Sequence, residues 1–355
     1  AVVGLGGQLK EKYEGCEIIV DGFSGTVYIN PDVTTVKRLK KKKELCDHQN
    51  ELLKELKGKK NITIDGKTVD ICANVGSPAD LDGVVQNDAG GIGLFRSEFL
   101  YLRRDDYPSE EEQFMAYKNA AVKMNGKRVI IRTMDIGADK KADYFDLPKE
   151  SNPAMGYRAI RICLDRPEIF KTQLRAIYRA SAFGKISVMF PMIISREEVV
   201  EAKRIVRQVC DELDRDNIPY SKEVEIGVMI ETPAAALISD ELAKEVDFFS
   251  IGTNDLTQYS LAIDRQNNKI SSMYNPHHKS ILRMIKMVAD SAHKNGIWVG
   301  ICGELAADEA LTETFLSMGI DELSMSAPFI LGIRKKVLEI NVDEVKEKII
   351  KDLSF

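Results

Sequence analysis

The chain has 355 residues, 44% of them hydrophobic and 30% charged, the make-up of an ordinary globular protein with room for one large α/β domain and an appendage. Its net charge of -5 argues against nucleic acid as the main partner, and no apolar run approaches the roughly 20 residues that cross a bilayer. No basic stretch followed by an apolar one marks a signal peptide, and the six scattered cysteines, with no C-x-x-C pair, read as reduced thiols of a cytoplasmic protein.

Residues 1–35 read as a short β-rich piece, with candidate strands at 16–21 and 26–29 around a glycine turn. So short a piece builds no core alone. The chain also starts at Ala1 in mid-pattern, so the piece is expected to be the end of an upstream domain. Residues 36–61 are polar and lysine-rich, with leucines at Leu39, Leu45, Leu52, Leu53 and Leu56, and predict an exposed linker helix. Acids follow the lysine run at 40–43 closely, so it reads as a solvated helix face rather than a nucleic-acid patch.

Residues 62–355 form the main body. Apolar strand-like runs recur near 70–75, 92–95, 129–133, 186–191, 226–230, 248–251, 297–301 and 322–325. Helical stretches follow most of them, most clearly at 110–124, 196–213, 233–245, 279–295 and 306–318. Pro233 suits a helix start and Ser195 an N-cap. Eight strand–helix alternations match a (β/α)8 barrel. A doubly wound open sheet is the alternative, but the glycine-rich fingerprint it usually carries after its first strand is missing, and residues 90–93 match it only in part.

Barrels of this kind place their chemistry at the C-terminal ends of the strands. Arg96, Arg132, Glu231, Asn254, Asp255 and Cys302 all fall there. Two apolar runs that stop at Glu231 and Asp255 can hold one divalent cation between them, and Mg2+ favours one or two carboxylates with the rest left to water and phosphate oxygens. Arg96, Arg132 and Arg265, in the loop after Asp255, offer forked donors to an anion. With one Mg2+ they balance Glu231, Asp255 and the roughly three negative charges of a phosphorylated carboxylate.

Blander readings stand beside these. Glu231 and Asp255 can cap the helices that follow them. Arg96 and Arg132 can be bridged to Glu98 and Asp135. Arg158, in G-Y-R-A-I-R, has surface exposure on a helix as its default. A lone cysteine is usually a small buried hydrophobe, but Cys302 is flanked by glycines at a strand end, and a thiol can deliver a proton at neutral pH. None of the four histidines has an obvious catalytic partner.

Six segments in order, G-L-F-R-S-E-F at 93–99, R-T-M-D-I-G-A-D-K at 132–140, F-P-M-I at 190–193, E-T-P-A-A at 231–235, F-F-S-I-G-T-N-D-L-T-Q-Y at 248–259 and G-I-C-G-E at 300–304, form a specific set. In these the chain resembles the Enzyme I family of the bacterial phosphoenolpyruvate:sugar phosphotransferase system, in its C-terminal part, from residue 1 to about residue 341. Related dikinases share the last few segments but differ around the first two. The resemblance implies a phosphoenolpyruvate-binding (β/α)8 barrel that dimerises. It implies phosphate-binding Arg96 and Arg132, ligand contacts at Asn254, Asp255 and Arg265, with Arg158 added to the substrate-binding set, and Mg2+ ligands Glu231 and Asp255. Cys302 matches the acid that protonates the enolate carbon of the departing pyruvate.

The family's phosphoacceptor histidine lies in a T-S-H motif, which this sequence lacks, and its HPr-binding helical domain is missing too. The expectation is therefore a piece that binds phosphoenolpyruvate and Mg2+. Residues 1–35 are then the end of the phosphohistidine domain, 36–61 the linker helix and 62–355 the barrel. The complete protein transfers the phosphoryl group to its own histidine and on to HPr for sugar uptake. Rival readings are a dikinase-type phosphotransferase, a barrel lyase acting on an enolate, and a non-catalytic short form that senses phosphoenolpyruvate.

Overall fold

A computed structural model describes residues 2, 5, 7, 9–137 and 142–353. The end of the R-T-M-D-I-G-A-D-K segment, residues 138–140, lies outside them. The chain divides into two compact units, Ala1–Lys57 and Gly58–Phe355. The first holds an antiparallel hairpin of β1 (Ile18–Asp21) and β2 (Thr26–Ile29) and a helix, Val33–Lys54. Asp32 starts that helix three residues before the position read from the sequence, because its carboxylate accepts from the Thr35 N–H. Leu45 and Leu52 stay exposed on it, as a polar helix without an apolar stripe allows.

The second unit is a closed parallel barrel. Its strands are β3 (Asp70–Val75), β4 (Ile92–Arg96), β5 (Val129–Arg132), β6 (Ile186–Phe190), β7 (Glu225–Ile230), β8 (Phe248–Gly252), β9 (Trp298–Cys302) and β10 (Glu322–Ser326), each paired with its sequence neighbours and β10 with β3. Helices fill the outer layer, among them Glu110–Met124, Pro167–Ser181, Arg196–Arg215, Lys279–Lys294 and Ile330–Leu338. Ser195 caps its helix in a reciprocal box with Glu198, and Thr232 followed by Pro233 starts another. The stretch at 233–245 is two short helices, Pro233–Leu237 and Ser239–Leu242, because the backbone leaves helical geometry at Ile238. Among the described residues, no helix is long and apolar enough to cross a membrane.

Strand periodicity decides which side chains face the axis. Leu94, Ile130, Met189, Met229, Phe248 and Cys302 form one inner cluster. Their neighbours Phe95, Ile131, Val188, Val228, Phe249 and Ile301 belong to the larger core under the helices. Two residues beyond the inner set on the same parity come Arg96, Arg132 and Glu231, so the alternation itself turns them over the barrel mouth.

The opposite end of the axis holds Glu322, 1% exposed at the start of β10, with neither carboxylate oxygen hydrogen-bonded. Its nearest cation is Arg128 at 4.0 Å, which lies over the Trp298 ring, itself stacked on Phe248. Burial, with Asp70 and Glu225 adding to it against the pull of Arg128, pushes the Glu322 carboxyl up to about 7. The unfolded chain releases this proton at lower pH than the folded one, so its contribution to stability falls as pH rises from about 4.5 to about 7. Glu322→Gln is expected to stabilise the protein at pH 8 by on the order of 3 kcal/mol and to do little at pH 5. Urea denaturation at both pH values checks this, and an equal effect at the two rejects it.

Candidate active site

A cavity of about 830 Å3 opens at the C-terminal ends of the strands. It is lined by Arg96 at the end of β4, Arg132 at the end of β5, Glu231 just after β7, Asn254 and Asp255 just after β8, and Cys302 at the end of β9. Arg96 and Arg132 are register partners on adjacent strands, as are Gly252 and Cys302. Arg158 and Arg265 reach the same cavity from loops. All the candidate residues therefore meet in one place.

The arginines divide into two kinds. Arg132 is buried between two carboxylates, with Nη2 2.6 Å from Glu98 Oε1 and 3.2 Å from Asp135 Oδ2. Its Nε and the second oxygen of Glu98 are buried with no hydrogen-bond partner. Arg158 donates through Nη2 and Nε to Asp135 Oδ1 at 2.7 and 3.2 Å, and through Nη1 to the Tyr259 hydroxyl at 3.2 Å. Arg96, half-buried, and Arg265, exposed, have no side-chain hydrogen bond or ion pair among the described residues.

Two blander expectations are therefore realised or overturned in part. The bridge expected for Arg132 exists, and it coexists with a buried Nε that has no hydrogen-bond partner among the described residues. The exposure expected for Arg158 does not hold. It lies in the loop ahead of the helix Ile160–Asp165 and is only 5% exposed, because Asp135 draws it into the mouth.

Glu231 is 1% exposed and does not cap the helix after it; the Thr232 hydroxyl does that. Instead Glu231 Oε1 accepts from the Met192 N–H at 2.7 Å. Met192 holds a φ of +58°, rare for a side chain of its size, so backbone strain is spent on aiming that donor. A Cβ on Gly252 would come within 2.9–3.0 Å of Glu231, which explains the glycine at the end of β8. Burial first, then Asp255 and Asp135, raise the Glu231 carboxyl well above the usual range against Arg132 and Arg158. Asp255 lies in the first turn of Thr253–Leu261, with its oxygen 3.8 Å from Arg158.

The lining carries four arginines (Arg96, Arg132, Arg158, Arg265) and five carboxylates (Glu98, Asp135, Glu231, Asp255, Asp264), a formal charge of -1 among the described residues. The balance read from the sequence omitted Glu98, Asp135 and Asp264. A divalent cation fits this donor set: it relieves the crowding of Glu231 and Asp255 and turns the mouth net positive. No group of three or more His, Cys, Asp or Glu side chains able to hold a metal exists among the described residues, so the fit rests on Glu231 and Asp255 alone.

Cys302 is 3% exposed, with Sγ 3.7 Å from the Ile251 carbonyl. Burial pushes its thiol up to about 11, with Glu231 adding and Ser250, Arg132 and Arg96 opposing, so at neutral pH it carries a proton. The histidines stand elsewhere: His277 pairs with Asp308 and His293 with Asp321, both near the surface. Sequence reading missed Tyr259, Met192 and the loop at 151–155. Tyr259 stands at the end of the F-F-S-I-G-T-N-D-L-T-Q-Y segment, a signal that was on hand, whereas the loop carries none.

Residues 30–342 match the family described as "PEP-utilising enzyme, PEP-binding domain". The chain is 50% identical to the phosphoenolpyruvate-protein phosphotransferase of Haemophilus influenzae over 98% of its own length and 60% of that protein. It is 47% identical to the protein of the same name from Staphylococcus epidermidis, covering 98% of this chain and 61% of that one. It thus spans about three fifths of these curated relatives. A solved citrate lyase from Burkholderia xenovorans LB400 aligns at 14% identity with a TM-score of 0.49, over 82% of this chain and 84% of that one. With its family match running through every strand of the barrel, the chain belongs to the PEP-utilising enzymes and comprises their PEP-binding domain.

Proposed function

We propose that this chain binds phosphoenolpyruvate together with Mg2+ and serves a phosphoenolpyruvate-protein phosphotransferase. In that reading the phosphoryl group passes to a histidine supplied from outside this chain, then to HPr, at the start of sugar uptake. The working protein is a cytoplasmic homodimer joined through the barrel. Residues 1–35 close the phosphohistidine domain and 36–61 link it to the barrel. The name carried by the curated relatives supports the transfer.

The observation that carries the binding is the charge pattern of the mouth. Two arginines without partners face an anion, yet the lining as a whole is not positive. A ligand of roughly three negative charges is held there only with a cation beside it. Glu231 and Asp255 would hold the Mg2+, which supplies charge neutralisation at the phosphoryl oxygens. Arg96, Arg265 and Arg132, which line the cavity, donate to the ligand's oxygens. Asn254 adds a neutral contact from the same loop as Asp255. When the phosphoryl group leaves, the enolate oxygen stays in this electropositive corner, and the Cys302 thiol gives its proton to the methylene carbon to form pyruvate. The resulting thiolate is reprotonated from water.

Calorimetric titration of phosphoenolpyruvate into this chain is expected to show saturable binding with Mg2+ and none with chelator. Arg265→Ala removes no internal contact and should weaken binding by about tenfold, or ~1.4 kcal/mol. Absence of binding in the presence of Mg2+ rejects the reading. The role of Cys302 has its own readout in the exchange of pyruvate methyl protons with deuterated water. Cys302→Ala should slow that exchange by about 100-fold or more while phosphoenolpyruvate still binds. An unchanged exchange rate assigns the proton to another group.

A further inference from the structure

Arg132 and Arg158 come from different segments, and neither chooses its direction from its own backbone. One carboxylate sits between them. Asp135 Oδ2 lies 3.2 Å from Arg132 Nη2, and Oδ1 accepts from Arg158 Nη2 at 2.7 Å and Nε at 3.2 Å. Asp135 is 3% exposed, so both contacts are desolvated. Its own backbone is held on either side. The Thr133 N–H donates to the Met189 carbonyl and the Met134 N–H to the Gln173 side chain, while the Ile136 carbonyl accepts from Ala159, the residue after Arg158. Asp135 is thus a fixed post, and the arginines are tethered to it.

The tether uses particular donors. Glu98 and Asp135 both engage Arg132 through Nη2, Nη1 lies 3.7 Å from Met229 Sδ, and the residue lines the cavity. On Arg158, Asp135 takes Nε and Nη2, and Tyr259 takes Nη1. Fixing a guanidinium in this way sets the direction of its remaining N–H bonds, which is how a forked donor is pre-aimed at a phosphate.

We propose that Asp135 is a positioning residue for the anion site: it sets the direction of Arg132 and Arg158 before the ligand arrives and touches no ligand atom itself. This rests on the reading of the mouth as a phosphoenolpyruvate site. The alternative is that Asp135 merely neutralises two buried cations. The two roles predict opposite signs. A carboxylate beside an anion site repels the anion, so Asp135→Asn strengthens binding if Asp135 contributes only its charge. If it positions the arginines, the same change weakens binding.

The test is titration of phosphoenolpyruvate with Mg2+ into the whole chain, wild type against Asp135→Asn. We expect weaker binding by about 10- to 100-fold, the usual effect of losing a group that orients a ligand-binding side chain. Equal or tighter binding overturns the proposal. Should Asp135→Asn not fold, Asp135→Glu keeps the charge and moves it by one methylene, and the same loss is expected from displacement alone. The second readout needs no ligand. In the wild type the Arg158 Nε–H is expected to give a sharp, slowly exchanging NMR signal, and in Asp135→Asn a broadened or fast-exchanging one. An unchanged signal overturns the proposal even where titration shows a loss. A wild-type chain that binds no phosphoenolpyruvate rejects the functional reading, and the NMR comparison still decides whether Asp135 holds the arginine.

Discussion

The barrel mouth must bury charges that water would otherwise solvate, and the rest of the site follows from how it does so. Glu98, Arg132, Asp135 and Arg158 alternate in sign as a chain of contacts at 2.6, 3.2 and 2.7 Å that continues to Asp255 at 3.8 Å. Taking any one of these ions from water alone costs several kcal/mol, so each is tolerated only because the next is present. The arrangement stabilises the fold little compared with apolar packing. It does fix directions, and it leaves Arg132 Nε buried with no hydrogen-bond partner among the described residues.

The same constraint explains why the two unpaired arginines lie where they do. Arg265 is exposed and Arg96 half-buried, so water can solvate their heads. An unpaired arginine as deep as Arg132 would carry the full desolvation cost. The mouth therefore has an inner wall of paired ions, held at the end of β5 and in the segments that follow the strands, and less buried cations at Arg96 and Arg265. Glu231 is the exception. It is buried and crowded by acids, with a single backbone N–H from strained Met192 on one oxygen. That imbalance is what a divalent cation would correct.

The barrel was legible because burial imposes apolar runs of strand length, and eight of them recur at regular spacing. Arg96, Arg132, Glu231 and Cys302 were legible because a charged or reactive residue at the end of such a run has one place to go. Helix limits were less legible. At 233–245 a continuous periodicity hides a break at Ile238, and the apolar stripe of Pro167–Ser181 was not singled out although Phe170, Leu174 and Ile177 are fully buried there. Arg158 was misread because its local sequence has a helical look, and only a partner 23 residues away, Asp135, determines that it turns inward. The charge balance was short for the same reason: Glu98 and Asp135 look like local partners in sequence and become part of the lining only once the strands close.

In the proposed function, a proton donor in such a place has to meet two demands. It must keep its proton beside carboxylates and give it to carbon when an enolate forms. A carboxylic acid there would exchange its proton with Glu231 or bind the cation, and a histidine would charge and compete with the arginines. A buried thiol does neither. Glu231 and burial hold Cys302 protonated, while Arg132 and Arg96 keep its thiolate accessible enough to form. Its position opposite Gly252, the residue whose missing side chain admits Glu231, puts the donor on the inner face beside the acids rather than among them. The alternation of the strands that turns the arginines inward thus also turns Cys302 inward, and in the proposed function one geometric rule of the barrel would serve both halves of the chemistry.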